Sequence, residues 1–304
     1  MRGGPSHKSS AHLRNGQPMT FGFADEHRHL WPVRTVCAVL GLSASGYYAW
    51  RRRPESPRSA ENHALLSDIR RAHADSGGCY GSQRIHAALR SAGRRVGRNR
   101  IARLMRLDGL RGLAALPRRE LTTDSRHGHP IAPDRLRRAF VATAPNQVWL
   151  ADLTNIPTGE GWLFLAALID VHTRKVVGWS MRETLRADIA LDALQMAIQR
   201  QRPHPGLIHH SDRSVQYAAD VYRQALADAQ IIPSMSRKGN CLDNAPMESF
   251  FHTLKVERVH HRVYATRDEA RRDLFGYIEG FYNSRRIHSA IGYRSPADME
   301  RMAA

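Results

Sequence analysis

Three acidic residues, Asp152, Asp212 and Glu248, are the side chains of this sequence best suited to do chemistry together. Asp152 lies in an apolar stretch, between Ala151 and Leu153, where a carboxylate is costly unless a positive charge offsets it. Asp212 directly follows the next predicted core strand, and Glu248 lies one turn into a predicted helix. Carboxylates suit Mg²⁺, and two such ions about 3.5–4 Å apart can clamp the attacking and leaving oxygens of a phosphoryl transfer. The trio therefore predicts a metal-dependent phosphoryl-transfer site, provided that the fold brings its members together.

Each of these acids also has an ordinary interpretation. A single aspartate in a strand is often an edge residue or the partner of an arginine, and a glutamate in a helix is usually solvated. Asp170 and Asp243 are acids of this ordinary kind, since Asp170 ends a predicted strand and Asp243 precedes a helix, where a negative charge suits the dipole. The trio has 59 and then 35 residues between its members, so it needs one sheet to unite them.

The second half of the chain has an element order that builds such a sheet. Apolar runs bounded by turn residues predict strands, and apolar residues three and four apart predict helices. The predicted strands are 147–156, 162–171, 175–181, 207–210 and 231–236, and the predicted helices are 185–200, 217–229 and 244–256. Asn244 and Pro246 suit the start of the last helix, as a cap and a first-turn residue. This order predicts an α/β, ribonuclease-H-like core with a mixed five-stranded sheet.

Positive charge is concentrated in the first half of the chain. The 304 residues include 46 Lys+Arg and 28 Asp+Glu, a net charge of +18, and residues 1–140 hold 26 of the basic and 10 of the acidic side chains. Of the basic residues 42 are arginine, whose guanidinium contacts phosphate through two parallel hydrogen bonds. A GC-rich genome explains the choice of arginine over lysine but not the uneven distribution, which predicts a nucleic-acid partner.

Two helical hairpins are predicted in this basic half. In the first, a helix that begins near residue 31 is broken by Gly41, and Ser43 can cap the next helix, as in a helix-turn-helix. The arginines on the turn and helix start of the second hairpin are Arg94, Arg95, Arg98 and Arg100. They form either a solvated basic face or a set of contacts to DNA phosphates, and the second hairpin in one basic half favours the DNA contacts.

Composition divides the chain into four predicted parts. These are a leader expected to be disordered, 1–30; an all-α helix-turn-helix region, 31–116; a basic linker, 117–145; and the catalytic core, 146–300. Hydrophobic residues (42%) and charged residues (24%) have the proportions of a globular protein. No apolar run reaches the roughly 20 residues of a membrane helix, and no secretory signal is recognisable. Three cysteines without paired spacing predict neither a disulfide framework nor a zinc site. We expect a cytoplasmic protein that does not contact membranes.

Several segments together give the chain a resemblance to a known family. They are 146–154, His210-Ser211-Asp212-Arg213, 239–251, Tyr282-Asn283, 286–293 and Ser295-Pro296. Through them the chain, from about Trp31 to Glu300, resembles the catalytic (OrfB) subunit of insertion-sequence transposases of the IS-three family, which share a core with retroviral integrases. The helices around Tyr80-Gly81 are similar to the family's accessory helix-turn-helix.

The resemblance implies a DNA transposase with an Asp152, Asp212 and Glu248 triad, since the family's triad has the same 35-residue interval. It implies two Mg²⁺ ions, for which Mn²⁺ can substitute, and 3′-end cleavage followed by strand transfer through a circular intermediate. The implied partners are terminal inverted repeats, target DNA, a subunit encoded in the upstream frame and further copies of this chain, all in the bacterial nucleoid. Two alternatives stay open: a non-catalytic DNA-binding repressor of the element and, fitting less well, a ribonuclease H.

Two residues near the predicted triad have expectations of their own. Ser214 stands where the family usually has glycine, so we expect a strained turn beside Asp212 and reduced activity. Lys255 lies seven residues after Glu248, about two helical turns, which puts both on one helix face. Its ammonium group is therefore predicted to contact the DNA backbone beside the reacting phosphate, and the alternative is a solvated lysine at a helix end.

Overall fold

The computed structural model of the chain describes residues 17–52, 56–114, 128–237 and 241–303. The chain divides into two compact units, Met1–Leu65 and Leu66–Ala304, and the division falls inside helix α4 (Pro57–Asp75). The domain boundaries predicted at residues 116 and 145 stay predictions. No helix in the described ranges is both long enough and apolar enough to cross a membrane.

The first unit contains three short helices before α4. They are α1 (Gln17–Glu26), α2 (Val33–Val39) and α3 (Ala44–Arg52). A cluster of buried apolar side chains in this unit consists of Ala24, Val36, Cys37 and Tyr47. The Tyr47 hydroxyl also donates a hydrogen bond of 2.5 Å to Asp25 of α1. The prediction of a disordered leader is therefore wrong for residues 17–26, whose helix is held by tertiary packing that periodicity did not reveal. Residues 1–16 lie outside the described ranges.

The turn between α2 and α3 is the predicted one. Gly41 has a φ of +65°, a left-handed conformation that glycine adopts without strain. Ser43 Oγ accepts a hydrogen bond of 3.3 Å from the Gly46 N–H, so Ser43 caps α3 as predicted.

The second unit is built on a mixed five-stranded sheet. Its strands are β1 (Val148–Thr158), β2 (Gly161–Asp170), β3 (Val176–Arg182), β4 (Ile208–Ser211) and β5 (Ile232–Met235). The order across the sheet is β3-β2-β1-β4-β5, in which β2 is antiparallel to both β1 and β3, and β4 is parallel to both β1 and β5. The predicted ribonuclease-H-like fold is confirmed, and β1 lies at the centre of its sheet.

Helices cover both faces of this sheet. One face is covered by α7 (Ala187–Gln201), α8 (Val215–Ala218) and α9 (Asp220–Asp228), and the other by α10 (Ala245–Glu257) and α11 (Arg267–Tyr277). Side chains alternate between the two faces along a strand, so Trp149 and Ala151 pack on the α7 side and Leu150 packs on the α10 side. Gly178 of β3 allows α7 to approach closely, because a Cβ at this position would lie 2.1 Å from the Ala193 carbonyl oxygen.

The remaining described elements lie on either side of the core in sequence. Helices α5 (Ser82–Ser91) and α6 (Arg98–Leu107) form the predicted second hairpin, and α12 (Pro296–Ala303) is the last helix. In the predicted linker, the described residues 128–145 form no helix or strand, but Leu136 is buried in the core on the α10 side of the sheet.

A buried ion pair joins the end of α10 to the C-terminal part of the chain. Arg286 donates to Glu257 through Nε (2.8 Å) and through a terminal guanidinium nitrogen (2.6 Å), and the two side chains are 3% and 5% exposed. The Tyr277 hydroxyl donates a third hydrogen bond of 2.8 Å to Glu257. Arg84 of α5 lies 3.6 Å from the same carboxylate. The pair therefore connects α10 with both the C-terminal segment and the α5–α6 hairpin.

Candidate active site

Asp152 and Asp212 occupy matching positions along two neighbouring parallel strands: Asp152 lies in β1, and Asp212 directly follows β4. Leu150 of β1 pairs with His210 of β4, and each aspartate comes two residues after one of these partners. Because side chains alternate along a strand, Asp152 shares the sheet face of Leu150. That face is the one covered by α10, since Leu150 belongs to the same core cluster as Met247. Asp152 thus lies on the side of the sheet where α10 lies, and Asp212 follows the end of the neighbouring strand, close enough for its negative charge to act on Asp152.

Asp152 is a half-buried carboxylate with a single described hydrogen bond, from the Leu153 N–H at 2.8 Å. Burial raises the pKa of this carboxyl well above its usual range, and the negative charges of Asp212 and Glu248 act in the same direction. The Leu153 N–H and the positive charge of Lys255 oppose the rise. A bound cation would stabilise the ionised form of the carboxyl, which these surroundings disfavour.

Glu248 lies in the first turn of α10 and its side chain is exposed. Partial loss of hydration raises the pKa of its carboxyl above the ordinary value. Pro246 occupies the first turn of the helix as predicted. The predicted side-chain cap is wrong, because Asn244 makes no cap hydrogen bond and instead donates its amide to the Ala151 carbonyl at 3.1 Å. Asn244 thereby fastens the start of α10 to β1 one residue before Asp152.

Asp243 has a larger structural role than its ordinary interpretation allowed. Its side chain is 1% exposed and accepts hydrogen bonds from Arg237 Nε (2.9 Å) and Arg138 Nε (2.7 Å). These bonds, that from Arg237 above all, hold the pKa of the carboxyl far below its usual range. The Asp243 carbonyl also lies 2.9 Å from His210 Nε2, so this turn is tied to β4 as well. In the sequence, this role of Asp243 was indicated only by its position in 239–251, the most specific of the family-like segments.

Asp170 closes a turn, in agreement with its ordinary interpretation. Its carboxylate accepts hydrogen bonds from the Thr173 N–H at 2.7 Å and from the Asn146 N–H at 2.7 Å. These bonds hold together the two chain segments that flank β1 and β2, and they leave Asp170 with a structural function.

Ser214 does not strain the turn beside Asp212. Its φ of −71° and ψ of 151° are ordinary extended values, so the expected strain is wrong. Instead the residue supports the aspartate, because its backbone N–H (3.0 Å) and its hydroxyl (2.7 Å) both donate to Asp212 Oδ1. A glycine could supply only the first of these hydrogen bonds, so serine fixes the Asp212 carboxylate more firmly than glycine would.

Family models match both halves of the chain. A model described as "Integrase core domain" matches residues 142–241, a second with the same description matches 248–303, and one described as "HTH-like domain" matches 60–119. Among solved structures, the simian T-cell lymphotropic virus intasome in complex with PP2A regulatory subunit B56 gamma aligns with a TM-score of 0.44 and 14% identity, over 76% of this chain and 74% of that chain.

Curated relatives cover almost the whole chain. The "Insertion element IS600 uncharacterized 31 kDa protein" of Shigella sonnei is 46% identical over 262 residues, which are 86% of this chain and 96% of that protein. The "Transposase InsF for insertion sequence IS3A" of Escherichia coli strain K12 is 38% identical over 284 residues, 93% of this chain and 98% of its own. The chain belongs to the IS-three family of transposases. The predicted family, the integrase core and the helix-turn-helix region of this transposase are thus confirmed, and so is the class of enzyme.

The three acidic side chains of this transposase are not arranged around a single point where a metal ion could be enclosed. The described residues include no group of three or more His, Cys, Asp or Glu side chains arranged to enclose an ion. The donor set nevertheless suits a hard cation, because protein N–H and O–H groups occupy only Oδ1 of Asp152 and Oδ1 of Asp212. Mg²⁺ characteristically takes one or two carboxylates and completes its shell with waters and substrate phosphates. Asp152 and Asp212 each keep one carboxylate oxygen that accepts no hydrogen bond from the described protein groups, which matches this coordination of Mg²⁺.

The predicted DNA contacts of this transposase lie in two places. Lys255 is half-buried on α10, and its charge acts on Asp152, as a shared helix face with Glu248 requires. The four arginines lie on the turn before α6 and at its start, and three of them are exposed while Arg100 is half-buried. Arg94 lies 2.6 Å from an Asp68 carboxylate oxygen. All five residues stay predictions as DNA contacts.

Proposed function

We propose that this transposase cleaves the 3′ ends of its element and joins them to target DNA, with Asp152, Asp212 and Glu248 holding two Mg²⁺ ions. The observation that carries the proposal is the matching placement of Asp152 in β1 and Asp212 directly after the parallel β4, with Asp152 on the sheet face covered by the helix of Glu248. The charges of Asp212 and Glu248 both act on Asp152. The raised pKa of the Asp152 carboxyl supports it, because desolvation and the negative charges of Asp212 and Glu248 outweigh the positive charge of Lys255, and a bound cation would offset them. Mn²⁺ is expected to substitute, since it takes the same oxygen ligands.

The chain's own groups hold and orient the reacting parts. The Leu153 N–H and both donors of Ser214 fix one oxygen of each aspartate, so the other oxygen faces the ligand in a set direction. When bound, the ions would polarise the reacting phosphate and neutralise the charge that develops on it. Lys255 would hold the DNA backbone beside that phosphate, as a point charge on a flexible stem.

The partners of the proposed reaction follow from the family and from the charge of the chain. Terminal inverted repeats and target DNA are the substrates, and the basic first half supplies their sequence-independent attraction. We further propose a subunit encoded in the upstream frame, further copies of this chain on the DNA, a circular DNA intermediate, and work in the bacterial nucleoid.

The decisive experiment compares cleavage and binding in one preparation. Full-length protein, Asp152→Asn and the control Asp228→Asn, an exposed aspartate on α9, are incubated with duplex DNA that ends in the inverted repeat, with and without Mg²⁺. We expect Mg²⁺-dependent 3′ nicking by the wild type and the control. We expect none by Asp152→Asn, which still binds the DNA.

Two results would overturn the proposal. Undiminished nicking by Asp152→Asn would remove the metal assignment. Specific binding by the wild type without any nicking in Mg²⁺ would instead favour the repressor alternative.

A further inference from the structure

A basic groove lies on the second unit between the α5–α6 hairpin and a C-terminal turn. It has a volume of about 780 Å³. The described residues that line it are Gln83, His86, Ala87, Arg90, Ser91, Arg98, Gly292, Tyr293 and Arg294. A second concavity of about 500 Å³ shares His86 and Arg90 with it and extends along the turn before α6. Because the two concavities share these residues, we call them together the α5 groove.

Most of the positive charge of the α5 groove is unpaired within the described residues; Arg94, on the turn before α6, is the exception, since it pairs with Asp68. No acidic side chain is among its lining residues, and Arg90, Arg98 and Arg294 are exposed without an ion pair to a described carboxylate. Elsewhere on the unit exposed arginines do find acids, as Arg70 does with Asp108. Guanidinium groups that repel one another across a concave surface favour a bound polyanion.

The C-terminal side of the groove is held in a strained conformation. Tyr293 has a φ of +58°, in the left-handed region that a bulky side chain rarely adopts, and Gly292 before it has +68°. Two backbone hydrogen bonds hold this turn, from the Tyr293 N–H to the His288 carbonyl (2.8 Å) and from the His288 N–H to the Arg294 carbonyl (2.9 Å). Such strain tends to be kept where a side chain must be aimed at a ligand.

We propose that the α5 groove binds the phosphate backbone of duplex DNA, with Arg90 and Arg294 as phosphate contacts on its opposite sides. The inference rests on the proposed function and extends its DNA surface beyond the turn before α6, to a C-terminal segment more than 180 residues away in sequence. Arginine is suited to this task because its planar fork meets phosphate oxygens in pairs. The Tyr293 hydroxyl, on the same rim, is a further donor to phosphate. Contacts of this kind position DNA and do not read its sequence.

The test measures binding to a duplex inverted-repeat end in EDTA, over a series of salt concentrations, with full-length protein. The variants are R90A/R294A, the charge-preserving R90K/R294K, and the control R272A, which removes an exposed arginine of α11 outside the groove. Each phosphate contact contributes about 0.9 to the slope of log K against log[salt]. We expect R90A/R294A to lower that slope by about 1.8 and to weaken binding at least tenfold. R90K/R294K should keep most of the slope, and R272A should keep all of it.

The outcomes separate this inference from the proposed function. Wild-type affinity and slope in R90A/R294A, with thermal unfolding like the wild type, would overturn the groove even if Mg²⁺-dependent nicking still required Asp152. Loss of the slope in R90A/R294A, together with a wild type that binds but never nicks, would uphold the groove and overturn the catalytic proposal. An equal loss of slope for each arginine removed in R272A would also overturn the proposal of the groove, because the effect would then reflect net charge alone.

Discussion

The buried pair of Glu257 and Arg286 makes a quantitative prediction about stability. Removing Arg286 while leaving Glu257 leaves a carboxylate that is 5% exposed, with the longer contact to Arg84 at 3.6 Å and the Tyr277 hydroxyl as its described partners. Breaking a buried pair in this way costs about 3–5 kcal/mol. Replacing both members with methionine leaves neither charge of the pair buried alone. The losses are then the acceptor of the buried Tyr277 hydroxyl, about 1–3 kcal/mol, and the acidic partner of Arg84, whose side chain is 32% exposed and therefore partly hydrated. We therefore expect the double variant to be more stable than R286M alone.

Two experiments provide the measurement. Urea unfolding monitored by tryptophan fluorescence gives the free energy of unfolding, and thermal unfolding monitored by calorimetry gives the melting temperature. The set is the wild type, E257M, R286M and E257M/R286M, so the coupling energy of the pair comes from a double-mutant cycle. For a unit of the size of Leu66–Ala304, each kcal/mol shifts the melting temperature by about 2–4 °C, so R286M should melt about 6–20 °C below the wild type. E257M/R286M should recover part of that loss.

One result would refute this reasoning. If the double variant loses the sum of the two single losses, Glu257 and Arg286 do not act as a desolvated pair. A loss below about 1 kcal/mol in R286M would place the pair in the range of solvent-exposed ion pairs and would contradict its burial.

Further predictions concern the candidate site. Asp152→Asn should raise the melting temperature of the metal-free protein at pH 7, because burial raises the pKa of Asp152 and its ionisation opposes folding; the gain should vanish below about pH 4, where the unfolded carboxyl is protonated too. Asp243→Asn should cost about 1.5–3 kcal/mol, and since the folded pKa of Asp243 is depressed, the gap to the wild type should close as the pH falls below about 4 in acid unfolding. Ser214→Ala should raise the Mg²⁺ concentration for half-maximal nicking several-fold without changing DNA affinity, and an unchanged metal dependence would show that its bond to Asp212 is dispensable. Lys255→Glu should weaken end binding and lower its salt slope by about 0.9, and an unchanged slope would return Lys255 to the solvated surface.

The sheet could be predicted from the sequence because its strands are dense apolar runs. The segment 162–171 is almost continuously apolar and forms β2, and the order of helices and strands after it fixed the topology. The family-like segments pointed to Asp152, Asp212 and Glu248 as candidate site residues, and for Asp152 the cost of a carboxylate inside an apolar strand pointed the same way. The pairing of β1 with β4 then supplied the matching positions that spacing alone could not.

The parts that could not be predicted depend on tertiary contacts. Helix α1 has little periodicity of its own, and it is stabilised by packing around Tyr47. Asn244 has the residue type of a cap, but the nearby Ala151 carbonyl is an alternative partner that only the fold provides. For Ser214, a family pattern with glycine suggested strain, whereas the hydroxyl found a partner in Asp212. Local propensity gives way in each case to a neighbour far away in the sequence.

The pairing of β1 with β4 has a consequence for how this candidate active site can change over generations. Neighbouring strands in a sheet lie about 4.8 Å apart, and main-chain hydrogen bonds such as that from the Ile208 N–H to the Gln147 carbonyl (2.9 Å) set this separation. Substitutions in the surrounding core therefore leave the relative position of Asp152 and Asp212 almost unchanged. Adding or removing one residue between Leu150 and Asp152 would instead turn that carboxylate to the opposite face of the sheet. The site tolerates drift in side-chain identity and is vulnerable to single-codon insertions and deletions in β1.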